Sequence, residues 1–223
     1  MIKQIALSGA AAALAFSGLT ESALAATMFR AVLDGAQVAV PGGVTTPASG
    51  WASFELNEDQ TELSYTIDLD GLVLKPDISD RSEDNDVTKI HIHFGAPGNN
   101  GPHTLNIFGL PREDDSDLAI DFAEGILTGI WDDGDAINPA TGGLFDPTLG
   151  GTTKTLSRFV DELIAGQLYL QVHTFASDTA SPPTPGEIRG QIKSVPEPAT
   201  VLGLMLTAGV GLSTLRKSKR LAG

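Results

Sequence analysis

A two-residue hydrophobic rhythm runs through the middle of this 223-residue chain, and few architectures other than a β-sheet accommodate it. Phe29, Ala31 and Leu33 alternate with Met28, Arg30 and Val32, and Ala52, Phe54 and Leu56 alternate with Trp51, Ser53 and Glu55. Leu63, Tyr65, Ile67 and Leu69 alternate with Ser64, Thr66 and Asp68. Successive strand side chains point to opposite faces, so each run predicts a strand with one buried and one polar face. The second and third runs, separated by Asn57 to Gln60, predict a hairpin. Further strands are expected at Ile90-Ile92-Phe94, Leu105-Ile107, Leu168-Leu170-Val172 and Ile188 to Ile192. One segment departs from the rhythm: Leu156, Phe159, Val160 and Leu163 have helical spacing, and Gly166 stands where a helix C-terminal cap belongs. Short strands joined by Gly-, Pro- and Asp-rich connections predict an all-β, antiparallel sandwich or flattened barrel with one short helix.

The two ends read as targeting segments, hydrophobic helices flanking the body. Residues 1 to 25 place Lys3 before an apolar run from Ile5 to Leu19 and end on Ala23-Leu24-Ala25, the pattern of a secretory signal peptide cut after Ala25 by signal peptidase. Residues 195 to 223 begin with Val195-Pro196-Glu197-Pro198, continue through an apolar stretch from Thr200 to Leu215, and finish on Arg216-Lys217-Ser218-Lys219-Arg220. Such a stretch is near the lower limit for a transmembrane helix, and the basic cluster would stay cytoplasmic. The order Pro196-Glu197-Pro198, apolar helix, basic tail resembles the PEP-CTERM sorting signal of Gram-negative bacteria. That resemblance implies an exosortase-type sorting protease as partner, transient anchoring in the inner membrane, and delivery of residues 26 to 194 to the cell surface, outer envelope or extracellular matrix.

Charge narrows the partners. Between Ala26 and Ser194 there are 9 basic and 26 acidic residues, a net −17. A body so acidic repels phosphate backbones and anionic lipid, which argues against nucleic-acid binding. The chain has no cysteine, so disulfides, thiolate metal sites and cysteine nucleophiles are excluded. No nucleophile elbow, Walker loop, zincin helix or Rossmann fingerprint occurs. The acidic stretches Asp77 to Asp86 and Asp132 to Gly151 are expected to be exposed loops, and neither has the carboxylate spacing of a calcium loop.

Six landmarks follow in order: Phe29-Arg30-Ala31-Val32-Leu33-Asp34-Gly35-Ala36-Gln37, Ala48-Ser49-Gly50-Trp51-Ala52-Ser53-Phe54, Leu63-Ser64-Tyr65-Thr66-Ile67, Ile90-His91-Ile92-His93-Phe94-Gly95, Ala165-Gly166-Gln167-Leu168-Tyr169-Leu170-Gln171-Val172-His173-Thr174, and Gly186-Glu187-Ile188-Arg189-Gly190-Gln191-Ile192. Together they resemble the chordin-type (CHRD) domain across residues 28 to 193. The resemblance implies an extracellular binding or structural module with no settled enzymatic activity, its partner a matrix or surface polymer. The acidic stretch before His91 looks like an insertion.

All four histidines lie in or beside these landmarks: His91, His93, His103 and His173. Strand periodicity places His91 with His93, His173 with Tyr169 and Gln171, and Arg189 with Glu187 and Gln191, each on the face opposite the aliphatic residues. If the aliphatic face is the core, these groups share an outer, polar face, where neighbouring strands lie about 4.8 Å apart. Imidazoles converging there can hold one copper or zinc ion. They can equally form a hydrogen-bonded network with Glu187 and Arg189. The order of the histidines also resembles copper-zinc superoxide dismutase, which implies an immunoglobulin-like or superoxide-dismutase-like sandwich, His91, His93, His103 and His173 as ligands, and Arg189 as an anion guide. The expected function is thus an exported binding or structural module with a histidine metal site, the alternative being a small copper- or zinc-dependent metalloenzyme with dismutase-like redox chemistry.

Overall fold

The computed structural model describes residues 26–109, 113–146 and 152–196. The proposed signal peptide, with Ala25, and the sorting segment from Glu197 and Pro198 onward lie outside these residues, whereas Pro196 is exposed at their edge. Among the described residues, no helix is long and apolar enough to cross a membrane.

Among the described residues ten strands form: β1 (Thr27–Asp34), β2 (Ser49–Leu56), β3 (Leu63–Asp70), β4 (Val87–Phe94), β5 (His103–Gly109), β6 (Ala119–Asp121), β7 (Ile126–Trp131), β8 (Leu168–Thr174), β9 (Ile188–Gln191) and β10 (Lys193–Ser194). Two short helices, α1 (Val160–Ile164) and α2 (Phe175–Thr179), flank β8. The pairings described are antiparallel, in the order β5-β4-β8-β9-β1-β2-β3-β7-β6, with β10 added to β1.

The expectation of an all-β antiparallel fold holds, but the two layers of a sandwich are here two halves of one sheet curled into a half-barrel. The reason lies at β1. Its far side pairs with β9 through Asp34 and Arg189 and with β10 through Phe29 and Arg30, so the ladder continues where a sandwich would break it. The curl brings Ile90, Ile92, Leu105 and Leu170 from one half and Ala52, Phe54, Ile67 and Leu127 from the other into one buried cluster. Fully burying such side chains contributes roughly 1.5–3 kcal/mol each. Phe159, just ahead of α1, closes the open side, its ring 6.2 Å from Phe94 and 6.1 Å from Trp131.

The predicted hairpin is β2-β3, in register from Ser49 opposite Asp70 to Leu56 opposite Leu63. The predicted helix is α1, preceded by a 3-10 turn at Leu156–Arg158 and followed by Gly166 at φ 68°. Strands β6, β7 and β10 and helix α2 were not expected. Phe94 leaves the core, although its spacing from Ile92 placed it there: it ends β4 beyond a register shift and is 37% exposed. The acidic stretch from Asp77 is mostly exposed, as expected, except at two positions. Asp86 is buried and pairs with Lys75 at 2.7 Å, and Arg81 is buried with its guanidinium 4.1 Å from the Phe108 ring centre.

Candidate metal centre

Strand β4 lies between β5 and β8, and its polar face carries His91 and His93. Opposite them on β8 are Gln171 and Tyr169. On β5 the ladder slips twice, between Ile90 and His91 and between Ile92 and His93. A regular step from the Ile92–Leu105 pair would set Thr104 against His93. The slip sets His103 there instead, and the earlier one sets Asn106 against His91. Two bulges therefore carry a histidine and an amide onto the face that already holds two imidazoles.

This face was expected to be open to solvent. It is internal: His91 is 1% exposed, His93 7%, Gln171 1% and Arg189 1%. The 95–101 connection folds back over it and is tied down by side chains of the face. Arg189 donates to the carbonyls of Asn99 at 2.9 Å and Ala96 at 3.1 Å, Gln191 donates to Gly95 at 3.0 Å, and the Gly101 amide donates to the Tyr169 hydroxyl at 3.0 Å. Gly101 must be glycine, because a Cβ there would overlap the Phe94 carbonyl oxygen. Hydrophobic alternation separates two faces without saying which is covered, and the Gly/Pro/Asn-rich cover has no apolar signal of its own.

Under this cover the histidines meet. One ring nitrogen from each of His91, His93 and His173 lies within 4.8 Å of the other two. Ligands on bonds of 2.0–2.1 Å stand about 3.3 Å apart at tetrahedral corners and about 4.1 Å apart across a square. The three nitrogens thus lie close to, but not at, the spacing of shared ligation. His103 packs by its ring against the same group, 3.9 Å from His91 and 4.3 Å from His93 between centres, and is half-buried.

The outer bonds fix which nitrogen is available. His93 Nδ1 is 2.9 Å from the Gly101 carbonyl, which can only accept, so Nδ1 carries the proton and Nε2 the lone pair. That Nε2 is buried without a hydrogen-bond partner. His103 Nδ1 is likewise set against the Asn106 amide oxygen at 3.2 Å. His173 Nδ1 is 3.4 Å from Asp178 Oδ1 without a hydrogen bond between them, and both of its ring nitrogens are buried without a hydrogen-bond partner. Aiming a lone pair inward while a carbonyl or carboxylate holds the opposite nitrogen is how ligating imidazoles are oriented. Burial, reinforced by neighbouring His103, pushes the His93 imidazole down to about 3, so it is neutral at physiological pH. Burial alone would raise Asp178, but interactions with His173, Lys89 and Thr88 hold its carboxyl well below the usual range. Asp178 sits on α2, whose Thr174/Ser177 capping box was legible in principle as a Thr-x-x-Ser start.

The other candidates lie beside this group. Arg189 stacks 3.5 Å from the centre of the Tyr169 ring, which itself lies parallel to His93 at 5.0 Å. It reaches the histidines through that ring, with its fork engaged by the covering loop. Glu187 accepts from the Thr174 hydroxyl at 3.2 Å. Among the described residues no three carboxylates converge as the imidazoles do.

Compared with known families, residues 29–192 match the model of the CHRD domain. No curated protein matches the chain significantly.

Proposed function

The chain belongs to the CHRD domain family, whose membership supports a binding or structural module, and from this premise we propose that it holds one copper or zinc ion on buried histidines. His91, His93 and His173 form the first shell, with His103 at the rim as a fourth donor. The observation that carries the reading is the set of buried ring nitrogens without hydrogen-bond partners, Nε2 of His93, whose Nδ1 is bonded to the Gly101 carbonyl, and both nitrogens of His173. A hydrogen-bonded network would satisfy both nitrogens of a buried ring. An all-imidazole set suits Cu²⁺ or Zn²⁺, and it excludes Ca²⁺ and Mg²⁺, which take oxygen ligands.

When bound, such an ion supplies a Lewis acid or, as copper, a one-electron centre. The protein holds the His93 imidazole neutral by burial, sets the Nδ1 atoms of His93 and His103 against the Gly101 carbonyl and the Asn106 amide oxygen, and excludes water with the 95–101 loop. Export by the amino-terminal signal and surface delivery by the PEP-CTERM segment complete the proposal, since an oxidising exterior poses no difficulty to a chain without cysteine.

The test is metal content by mass spectrometry after dialysis of the full chain against copper or zinc. About one ion per chain is expected, reduced to background in the His91→Ala/His93→Ala variant. Metal-free protein whose melting temperature is the same with and without chelator would refute the site. A copper redox enzyme is the second reading, favoured by the half-exposed His103 at the edge of the cluster. Superoxide removal by the copper-loaded chain that persists undiminished in the double variant would eliminate it.

A further inference from the structure

We propose that the cavity between the 36–43 and 95–101 loops binds a small aliphatic monocarboxylate on the buried guanidinium of Arg189; the site lies apart from the histidines and does not depend on a metal. The cavity has a volume of about 630 Å³, within the range of small-molecule sites. Arg189 and Gln191 of β9 line it, with short apolar groups from Val40, Pro41 and Pro97. Among the described residues, no histidine, aspartate or glutamate borders it. The link from Arg189 to the histidine cluster is the Tyr169 ring, which is not part of the cavity wall.

The charge of Arg189 lacks an opposite. The residue is 1% exposed, and charges buried to that extent are normally paired. Its described partners, the Asn99 and Ala96 carbonyls and the Gln191 side-chain oxygen, are all neutral. No carboxylate lies within ion-pair distance of it among the described residues. The other buried arginine, Arg81, is by contrast 3.7 Å from Glu113. Asp34, opposite Arg189 in the ladder, accepts instead from the Gln37 backbone amide and side chain, each at 3.0 Å. Burial lowers the Arg189 pKa, and the opposing influence is the Tyr169 phenol rather than a carboxylate.

Donors remain for a ligand. A guanidinium has five N–H groups, and three of them meet these acceptors, which leaves Nε–H and one Nη1–H without a described partner. An anion in the cavity would accept from them through charge-assisted bonds, about twice as strong as neutral ones, and would supply the missing counter-charge. The remaining walls set its class. They are aliphatic, with no aromatic ring among the described lining residues, and suit a short aliphatic body. Acidic residues outnumber basic ones 26 to 9 in this domain, so its field repels a polyanion more than a single charge. One carboxylate therefore fits better than a sulfate or phosphate.

The test is NMR titration of the full chain, stripped of metal on a chelating resin, with butanoate at constant ionic strength. Saturable shifts are expected at the backbone amides of Ala39 and Gly98 and at Arg189 Nε–H, with neutral butanamide and dianionic sulfate each bound at least about tenfold more weakly. Val40 is half-buried on the cavity wall. Val40→Glu supplies an internal carboxylate and is expected to abolish butanoate binding, whereas Val40→Gln, of the same shape without the charge, retains it. No saturation at tens of millimolar butanoate, equal binding of butanamide, shifts centred on the histidines instead, or undiminished binding in Val40→Glu would each overturn the site. Sulfate bound as tightly as butanoate would overturn the choice of a carboxylate.

Discussion

Replacing Arg189 by lysine keeps a positive charge on β9 but removes the fork that spans two segments, and it is expected to destabilise the fold more than a conservative exchange should. The guanidinium makes three hydrogen bonds, to Asn99 O, Ala96 O and Gln191 Oε1, and stacks at 3.5 Å on Tyr169. Hydrogen bonds involving a charged group contribute about 1.5–3 kcal/mol each, and a partly desolvated stack about 1–2 kcal/mol. A lysine ammonium can retain one acceptor at most, because its donors radiate from a point and it has no planar face. The net loss is therefore about 3–5 kcal/mol, since the charge stays buried with fewer partners. Arg189→Met gives up every bond but leaves no desolvated charge, so it is expected to cost less than the lysine variant. Urea unfolding of both variants measures this. With slopes of about 1–3 kcal/mol per molar for a domain of this size, the Arg189→Lys midpoint should fall by more than 1 M. A midpoint within 0.3 M of the parent, with unchanged slope, would show that the loop is held by something else and would refute the clamp.

The remaining expectations follow the same geometry. Asp178→Asn keeps the fold of α2 but withdraws the carboxylate behind His173, so metal affinity should drop about 10- to 100-fold, read by competition with a chromophoric chelator; an unchanged affinity would remove Asp178 from the site. Gly101→Ala forces a Cβ into the Phe94 carbonyl and moves the oxygen that orients His93, so melting temperature and metal affinity should fall together; a fall in only one would separate cover from ligand orientation. Burial, with neighbouring Asp135 and Asp117, raises the Asp114 carboxyl to about 8, and burial raises Asp135 to about 7. The folded state then holds protons that the unfolded chain has released above about pH 4, so these groups stabilise at low pH and that contribution is lost progressively as pH rises from about 4 through 7 to 8. Asp114→Asn, which still accepts from the Tyr65 hydroxyl, should accordingly raise the melting temperature much more at pH 8.5 than at pH 5; equal shifts at both would contradict the assignment.

Much of the fold was legible because alternation is a local property. The runs at Phe29, Ala52 and Leu63 specify β1, β2 and β3 with their buried faces, and Gly166 marks the end of α1. The curl was not, because pairing β1 with β9 depends on one residue pair far apart in sequence. At the site, His91, His93 and His173 were legible as sharing a face. Their burial was not, since it depends on a polar loop pinned by Arg189 and Gln191. Placing His103 required knowing two bulges, and bulges leave no periodic trace. Asp178 was missed because its helix is five residues long.

X-ray absorption at the metal edge of the copper- or zinc-loaded full chain addresses the central claim. A first shell of three or four nitrogens at about 2.0–2.1 Å is expected, with the outer-shell scattering of imidazole, lost in His91→Ala/His93→Ala. A shell of oxygens alone, unaltered in that variant, would place the ion among the carboxylates and contradict it.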